Sequence, residues 1–109
     1  MGYLDQKDFL SAMSFRPGAG DYLDIYRALA DSGDDHAMFE LGCAYSTGSH
    51  GLACDMVEAH KWFNLAAANG HQDAPHCRSE IAEEMAPREI ADAQRAARAW
   101  LMERARLNA

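Results

Sequence analysis

Apolar side chains recur along the chain at the spacing of amphipathic α-helices. Between positions 22 and 32 they stand at i, i+3, i+4 and i+7, which predicts a helix that buries one side. The apolar positions of that side are Tyr22, Ile25, Tyr26 and Leu29. Asp21 is placed to cap the start of this helix, and Gly33 is placed to end it in the left-handed conformation that glycine tolerates.

The next two predicted helices lie on either side of a glycine-containing loop. Asp34 can cap a helix over 35–47, and Asp55 followed by Glu58 forms a capping-box pattern for a helix that runs to about Asn69. The apolar side of the first consists of Ala37, Leu41, Ala44 and Tyr45. The apolar side of the second consists of Val57, Ala59, Trp62, Phe63 and Ala66. Gly70 is expected to end the second of these helices.

Three further helices complete the prediction. One covers 73–85, with Asp73 as its cap and Pro75 in its first turn, where proline is tolerated. The last begins at Pro87 and runs to about Arg106. Its inward stripe consists of Ile90, Ala93, Ala97, Trp100 and Leu101. Near the start of the chain a short helix is expected over 5–14, followed by a loop over 15–20. Phe9, Leu10 and Met13 lie on one side of that short helix.

The chain repeats itself at an offset of 37 residues. Residues 30–37 align with 67–74, and each copy carries a glycine turn between two helices. The same offset aligns Ile25 with Trp62, Tyr26 with Phe63 and Leu29 with Ala66 in the sequence. Helix pairs that repeat in this way bury their apolar sides by stacking on their neighbours. We therefore predict an all-α fold: a short α-α solenoid of stacked antiparallel helix pairs with a C-terminal capping helix.

Residues 37–74 also carry a spaced set of small, aromatic and acidic residues. They are Ala37, Leu41, Gly42, Tyr45, Gly48, Gly51, Asp55, Glu58, Ala59, Trp62, Phe63, Ala66, Ala67, Gly70, His71 and Ala74. This stretch resembles a Sel1-like repeat, a relative of the tetratricopeptide repeat. The resemblance implies helix pairs in a right-handed superhelix and an adaptor role in protein–protein contact.

We predict a single domain over residues 1–109, and its repeat units are not equally complete. An N-terminal helix and loop (1–20) precede a half repeat (21–33) and a full repeat (34–70). Residues 71–86 form a degenerate unit, because Arg78 and Ser79 stand where the full repeat has Leu41 and Gly42. Residues 87–109 resemble a capping helix.

Charge and composition exclude some function classes. The formal net charge is −7, and residues 1–87 carry 14 acidic against 5 basic residues, so we expect no nucleic-acid partner. Residues 88–109 carry five arginines and a net charge of +2; these arginines can pair with carboxylates of the same chain or contact an acidic partner. No apolar run approaches membrane-spanning length, and the chain does not open with a charged segment followed by an apolar run, so we expect no signal peptide. With three cysteines, an odd number, we expect a cytoplasmic protein with free thiols.

Histidines and cysteines are the only candidates for chemistry. No tight pair such as C-x2-C, no nucleophile elbow and no H-E-x-x-H motif is present, so we expect no catalytic residue, no metal and no cofactor. Cys43 and Cys77 are interpreted as small apolar helix residues, and His71 as a cap or turn residue. A small enzyme or metal-binding protein that uses His and Cys remains the alternative.

Two surfaces are candidates for binding. The outer stripe of the 35–47 helix and its counterpart one repeat later predict a mildly acidic groove for another protein or peptide, although a simple solvated face would show the same pattern. These residues are His36, Glu40, Cys43, Thr47, Asp73, Cys77, Glu80 and Glu84. The second candidate surface is the end of the last helix, where Trp100, Met102 and Leu107 suggest self-association as a homodimer or weak oligomer.

Overall fold

The computed structural model describes residues 19–108 and is all-helical over that range. The helices are α1 (Ala19–Asp31), α2 (Asp35–Thr47), α3 (Met56–Ala68), α4 (Ala74–Ala82) and α5 (Pro87–Leu107). The all-α fold class is thus confirmed for this range. The predicted helix at 5–14 lies outside the described residues, and none of the described helices has the length and apolarity needed to cross a membrane.

Consecutive helices from α1 to α3 run antiparallel. The start of α3 lies beside the end of α2, where the amide of Asp55 donates a 2.9 Å hydrogen bond to the carbonyl of Tyr45. The opposite ends also meet, because Asn69 Nδ2 lies 3.3 Å from the carbonyl oxygen of Gly33, just before α2. In α1, Arg27 donates a 2.9 Å hydrogen bond to the hydroxyl of Tyr45. The α2–α3 pair makes the most extensive contact of any two described helices.

Two aspartates cap their helices as predicted. Asp34 Oδ1 accepts a hydrogen bond from the amide of Ala37 at 2.9 Å, and Asp55 Oδ1 accepts one from Glu58 at 3.1 Å. The predicted capping box at Asp55 is only half formed, because the Glu58 side chain does not accept from the amide of Asp55. That amide bonds the carbonyl of Tyr45 in α2, and the Glu58 carboxylate pairs with Lys61 at 2.8 Å. Each cap satisfies an amide that the helix itself leaves unpaired.

The glycine turns after α1 and α3 have the same geometry. Gly33 and Gly70 have φ values of 97° and 94°. After each, the amide of the next residue bonds a carbonyl five positions back: Asp34 to Leu29, and His71 to Ala66, both at 3.0 Å. Both are Schellman motifs, which only a residue tolerant of positive φ closes without strain. These turns stand at the positions predicted from the 37-residue offset.

The core between α2 and α3 depends on a close approach of backbone to ring. The Phe63 ring lies directly against Gly42, where a Cβ atom would stand 2.6 Å from two ring carbons. Phe63 also packs on Phe39, with 5.5 Å between ring centroids. The predicted inward positions of α2 and α3 are buried, apart from the half-buried Tyr45 and Val57. Met38 and Leu65 are buried core residues that the sequence prediction missed.

The predicted burial of α1 is wrong for three of its four apolar residues, whereas Tyr26 is half-buried against the core. Tyr22, Ile25 and Leu29 are exposed, while Leu23 and Ala30 are buried with the α2–α3 core. The reason is that α1 has apolar residues on more than one side, so the helical period alone does not decide which side faces α2. The start is also displaced: α1 begins at Ala19, inside the predicted loop, so Asp21 lies in the first turn and is not the cap.

Helix α4 differs from its prediction at both ends. It ends at Ala82 and not at 85, and the residues that follow form a turn, in which the amide of Met85 bonds the carbonyl of Ala82 at 3.1 Å. Asp73 holds the N-cap position, but its side chain makes no capping hydrogen bond. Its backbone conformation is helical there, whereas an N-cap that uses its side chain has an extended backbone.

Helix α5 packs along α3 and reaches α1. Its predicted start at Pro87 is confirmed, and Ala93 and Ala97 are buried. Trp100 meets Trp62 edge to face at a centroid distance of 5.8 Å, and Arg104 Nη2 lies 3.5 Å from Asp31 at the end of α1. Leu101, which was predicted to face inward, is exposed.

One polar side chain is buried in α3. His60 is 4% exposed, and its Nδ1 has no hydrogen-bond partner among the described residues. Burial, and next the positive charge of Arg78, lower the pKa of His60 below its usual value. The residue at the corresponding position one repeat earlier is Leu23, which is also buried. His60 therefore occupies an apolar position and favours its neutral form in the folded protein.

We predict that Gly42→Ala destabilises the fold, because the added methyl group meets the Phe63 ring. Overpacking costs about 1–3 kcal/mol, against about 1 kcal/mol that alanine gains over glycine within a helix, so we expect a net loss of up to about 2 kcal/mol. Chemical denaturation measures this loss. In a Phe63→Leu background the same substitution should cost nothing, and an equal cost there would show that the ring is not the obstacle.

We predict that His60→Leu removes part of the pH dependence of stability. The folded-state pKa of His60 lies below its unfolded value of about 6.5, so its contribution is complete above that value and is lost as the pH falls through the lowered pKa. Thermal melts of both proteins between pH 7.5 and about pH 5 test this. The wild type should lose more stability than the variant on acidification; parallel losses would contradict the assignment.

Candidate protein-binding face

The predicted groove residues of α2 lie along one side of that helix. His36 and Thr47 are exposed, whereas Glu40 and Cys43 are half-buried. His36 Nε2 stands 3.6 Å from a carboxylate oxygen of Glu40. The hydroxyl of Thr47 donates a 2.8 Å hydrogen bond to the carbonyl of Cys43, so it is engaged with its own helix.

The predicted residues of α4 are placed less regularly. Cys77 is half-buried, and Glu80 is exposed with a carboxylate oxygen 3.6 Å from His76 Nε2. Asp73 lies just before the helix, and its amide donates a 3.2 Å hydrogen bond to His71 Nδ1. Glu84 follows the end of α4 and is exposed. The interpretation of His71 as a turn residue agrees with this hydrogen bond.

The structure brings the two thiols of these stripes together. Cys43 and Cys77 pack against one apolar cluster beneath α2 and α4, and each half-buried side chain leaves part of its surface open. The buried members of that cluster are Ala59, Phe63, Ile81 and Met85. Hereafter the α2–α4 face means the eight predicted groove residues together with Phe39. Its floor is the half-buried Phe39, Cys43 and Cys77, and its rim is charged.

Burial and nearby carboxylates govern the chemistry of the thiols. Burial raises the pKa of Cys43 to about 11, with further contributions from Glu40 and from Cys77. The pKa of Cys77 is raised by burial first, and then by Glu80 and Asp73. A thiol with a raised pKa carries almost no thiolate at neutral pH, and the thiolate is the form that attacks electrophiles and binds metals. Both thiols are therefore mostly neutral at neutral pH.

Sequence reasoning missed an aromatic stack at the edge of this face. The rings of Phe39 and His71 are stacked, with centroids 4.1 Å apart and planes 9° from parallel. The His36 ring is also stacked with that of His71, at a centroid distance of 6.2 Å. The i, i+3 spacing of His36 and Phe39 was a signal for a shared side. The position of His71 depends on the glycine turn after α3, which a stripe on one helix does not reveal.

The remaining candidates are separate from this face. Within residues 19–108, no group of three His, Cys, Asp or Glu side chains is placed to hold a metal ion. Trp100, one of the three predicted self-association residues, packs on Trp62 of its own chain, whereas Met102 and Leu107 are exposed. His50 lies beside α1, with its ring 6.1 Å from those of Tyr22 and Tyr26.

We predict that the three cysteines react with iodoacetamide in a fixed order. Cys54 is exposed and should be labelled first, while Cys43 should be labelled last because its pKa of about 11 leaves only about a thousandth of it as thiolate at pH 8. Peptide mass spectrometry over a time course gives the three rates. A Cys43 rate equal to that of Cys54 would contradict the burial of this thiol and would favour a nucleophilic role.

The α2–α4 face is a surface where apolar and charged groups of two helices lie close together. Its use has to be inferred from those groups themselves. Neither a family model, nor a curated protein, nor a solved structure matches this chain.

Proposed function

We propose that this chain is a protein-interaction adaptor that binds another protein or peptide through the α2–α4 face. The observation that carries the proposal is the pairing of half-buried Cys43 and Cys77 over one apolar cluster, with carboxylates beside both. Protein-binding surfaces typically have an apolar centre surrounded by a polar or charged rim. The exposed parts of the floor offer contact area, and the rim selects the charge of the ligand.

The architecture in this proposal is a short right-handed α-α solenoid capped by α5. The antiparallel packing of α2 with α3 and the matching glycine turns at Gly33 and Gly70 support it. The resemblance of residues 37–74 to a Sel1-like repeat supports it independently. In a solenoid the first helices of successive pairs stand side by side, so α2 and α4 would present one continuous binding surface.

The charge of the face points to a basic ligand. Of its eight predicted residues four are carboxylates, and none is lysine or arginine. The carboxylates are Glu40, Asp73, Glu80 and Glu84. Complementary charge speeds the encounter of two proteins and rejects acidic competitors. We therefore propose a partner segment that presents lysine or arginine around one or two apolar side chains.

The proposal includes the absence of catalysis and a cytoplasmic location. The raised pKa values of Cys43 and Cys77 argue against a thiolate nucleophile at neutral pH. Cys43, Cys54 and Cys77 are all free, as expected for a protein in a reducing compartment.

We predict that Glu80→Arg combined with Glu84→Arg weakens partner binding without unfolding the protein. Both side chains are exposed, so circular dichroism should be unchanged, while reversal of two rim charges should weaken retention of the partner at least about tenfold. The measurement is quantitative affinity capture from native lysate with immobilised chain, followed by washes of increasing salt. Retention by the wild type should fall with salt, since rim charges are screened.

The matched control makes the same change of charge elsewhere. Asp24→Arg with Glu103→Arg alters exposed residues of α1 and α5 and should retain the partner as the wild type does. If the Glu80/Glu84 variant and the wild type retain the same proteins in the same amounts, the α2–α4 face is not the binding surface. If both variants lose the partner equally, net charge and not the face governs binding.

A further inference from the structure

Helix α5 presents a basic side on which one apolar residue stands between arginines. Arg95, Arg98, Met102 and Arg106 follow one another at spacings of three and four positions, so their side chains share one side of the helix. All four side chains are exposed, and Met102 is 73% exposed. Hereafter the α5 outer side means these four residues.

The α5 outer side points away from the rest of its own chain. The opposite side of the helix carries the buried Ala93 and Ala97. Met102 comes nine positions after Ala93, which at about 100° per residue places it half a turn out of phase. In the described part of the chain, the arginines of the outer side form ion pairs only with carboxylates of α5 itself. The outer side is therefore available to another molecule.

The α2–α4 face has the charge and the apolar surface that complement this side. Four of its residues are carboxylates, and none is lysine or arginine. Its floor includes the half-buried Phe39 ring, and the thioether of methionine makes favourable contacts with aromatic rings. The partner segment proposed above presents lysine or arginine around one or two apolar side chains. The α5 outer side has this composition, with Met102 between Arg98 and Arg106.

We propose that the α5 outer side of one copy of this chain binds the α2–α4 face of a second copy. In this contact Met102 packs on the floor of the face, and the three arginines lie beside the carboxylates of its rim. The contact forms between molecules, because the outer side points away from its own α3. The inference rests on the proposed function and names a second copy of the chain as a ligand of the same face.

The proposed contact joins two unlike surfaces, which determines how the chains assemble. After one contact has formed, each pair of chains keeps one free α2–α4 face and one free outer side, so further copies can add. A single helix side covers a small area, and small interfaces form weak, transient complexes. We therefore expect the average mass in solution to rise with protein concentration and to fall with added salt, which screens the charges.

Sedimentation equilibrium of the full chain tests the inference with two variants. Glu80→Arg with Glu84→Arg changes the face, and Arg98→Gln with Met102→Glu changes the outer side. All four residues are exposed, so circular dichroism should be unchanged. The wild type should associate as its concentration is raised to about 1 mM, and each variant alone should have a dissociation constant at least about tenfold higher.

An equal mixture of the two variants identifies the surfaces that meet. The face variant keeps an intact outer side, and the outer-side variant keeps an intact face. The mixture should therefore form pairs with about the wild-type dissociation constant, and it should stop at two chains because each pair contains one intact surface of each kind. A contact between two outer sides or between two faces would give no such recovery on mixing.

The matched control makes the same change of net charge on another helix. Ile25→Glu with Leu29→Glu adds two negative charges at exposed positions of α1 and should associate as the wild type does. A wild type that stays monomeric at about 1 mM, a mixture that stays monomeric, or a control that dissociates as fully as the outer-side variant would each overturn the inference. If the wild type still retains lysate proteins that the Glu80/Glu84 variant loses, the proposed function stands with a different ligand.

Discussion

The contact of the Phe63 ring with the backbone of Gly42 is the constraint on which the rest of the structure depends. It brings α2 and α3 closer than any side chain at position 42 would allow. The tight approach lets Met38, Leu41 and Leu65 fill one buried layer between the two helices. Because α1, α4 and α5 each pack on α2 or α3, this pair sets the platform for all other contacts.

Helix α5 connects α1 to this platform. Its Trp100 meets Trp62 in α3, and one turn later Arg104 lies over the Trp100 ring at 5.0 Å and reaches Asp31 of α1. An exposed ion pair alone adds little to stability. Here the guanidinium of Arg104 also lies over the Trp100 ring, so one charged group contacts both the ring and Asp31. One long helix thereby links the first described helix to the central one.

Local signals predicted the ends of α2 and α3 well, and long-range packing explains the burial that such signals missed. Asp34, Asp55 and Gly70 act through hydrogen bonds to their own neighbours in sequence, so their spacing was sufficient to place the ends of α2 and α3. The rotation of α1 was not predictable in this way. Its period fits burial of Tyr22 and Ile25 as well as burial of Leu23, and only the position of α2 decides between them.

The same distinction applies to the candidate site. The stripes on α2 and α4 were predicted from periodicity, but the half-burial of Cys43 and Cys77 depends on how both helices sit on α3. The stack of Phe39 on His71 likewise joins a helix to a turn more than 30 residues away in sequence. Periodicity thus identifies which residues share a side of a helix. How deeply that side is buried depends on how the helices pack in the whole fold.

The burial of the two thiols also determines how the floor of this face behaves chemically. The packing that places the two thiols over one cluster removes water from them, and the carboxylates beside them add an unfavourable charge for a thiolate. Both effects keep the sulfur atoms neutral, apolar and polarisable, which suits contact with a partner's apolar side chains. A carboxylate at the rim costs little because it stays in water, yet its field reaches a ligand that approaches from outside. Neutral floor and charged rim are therefore consequences of one arrangement: in the proposed adaptor role, the floor would contribute contact area and the rim would select the charge of the ligand.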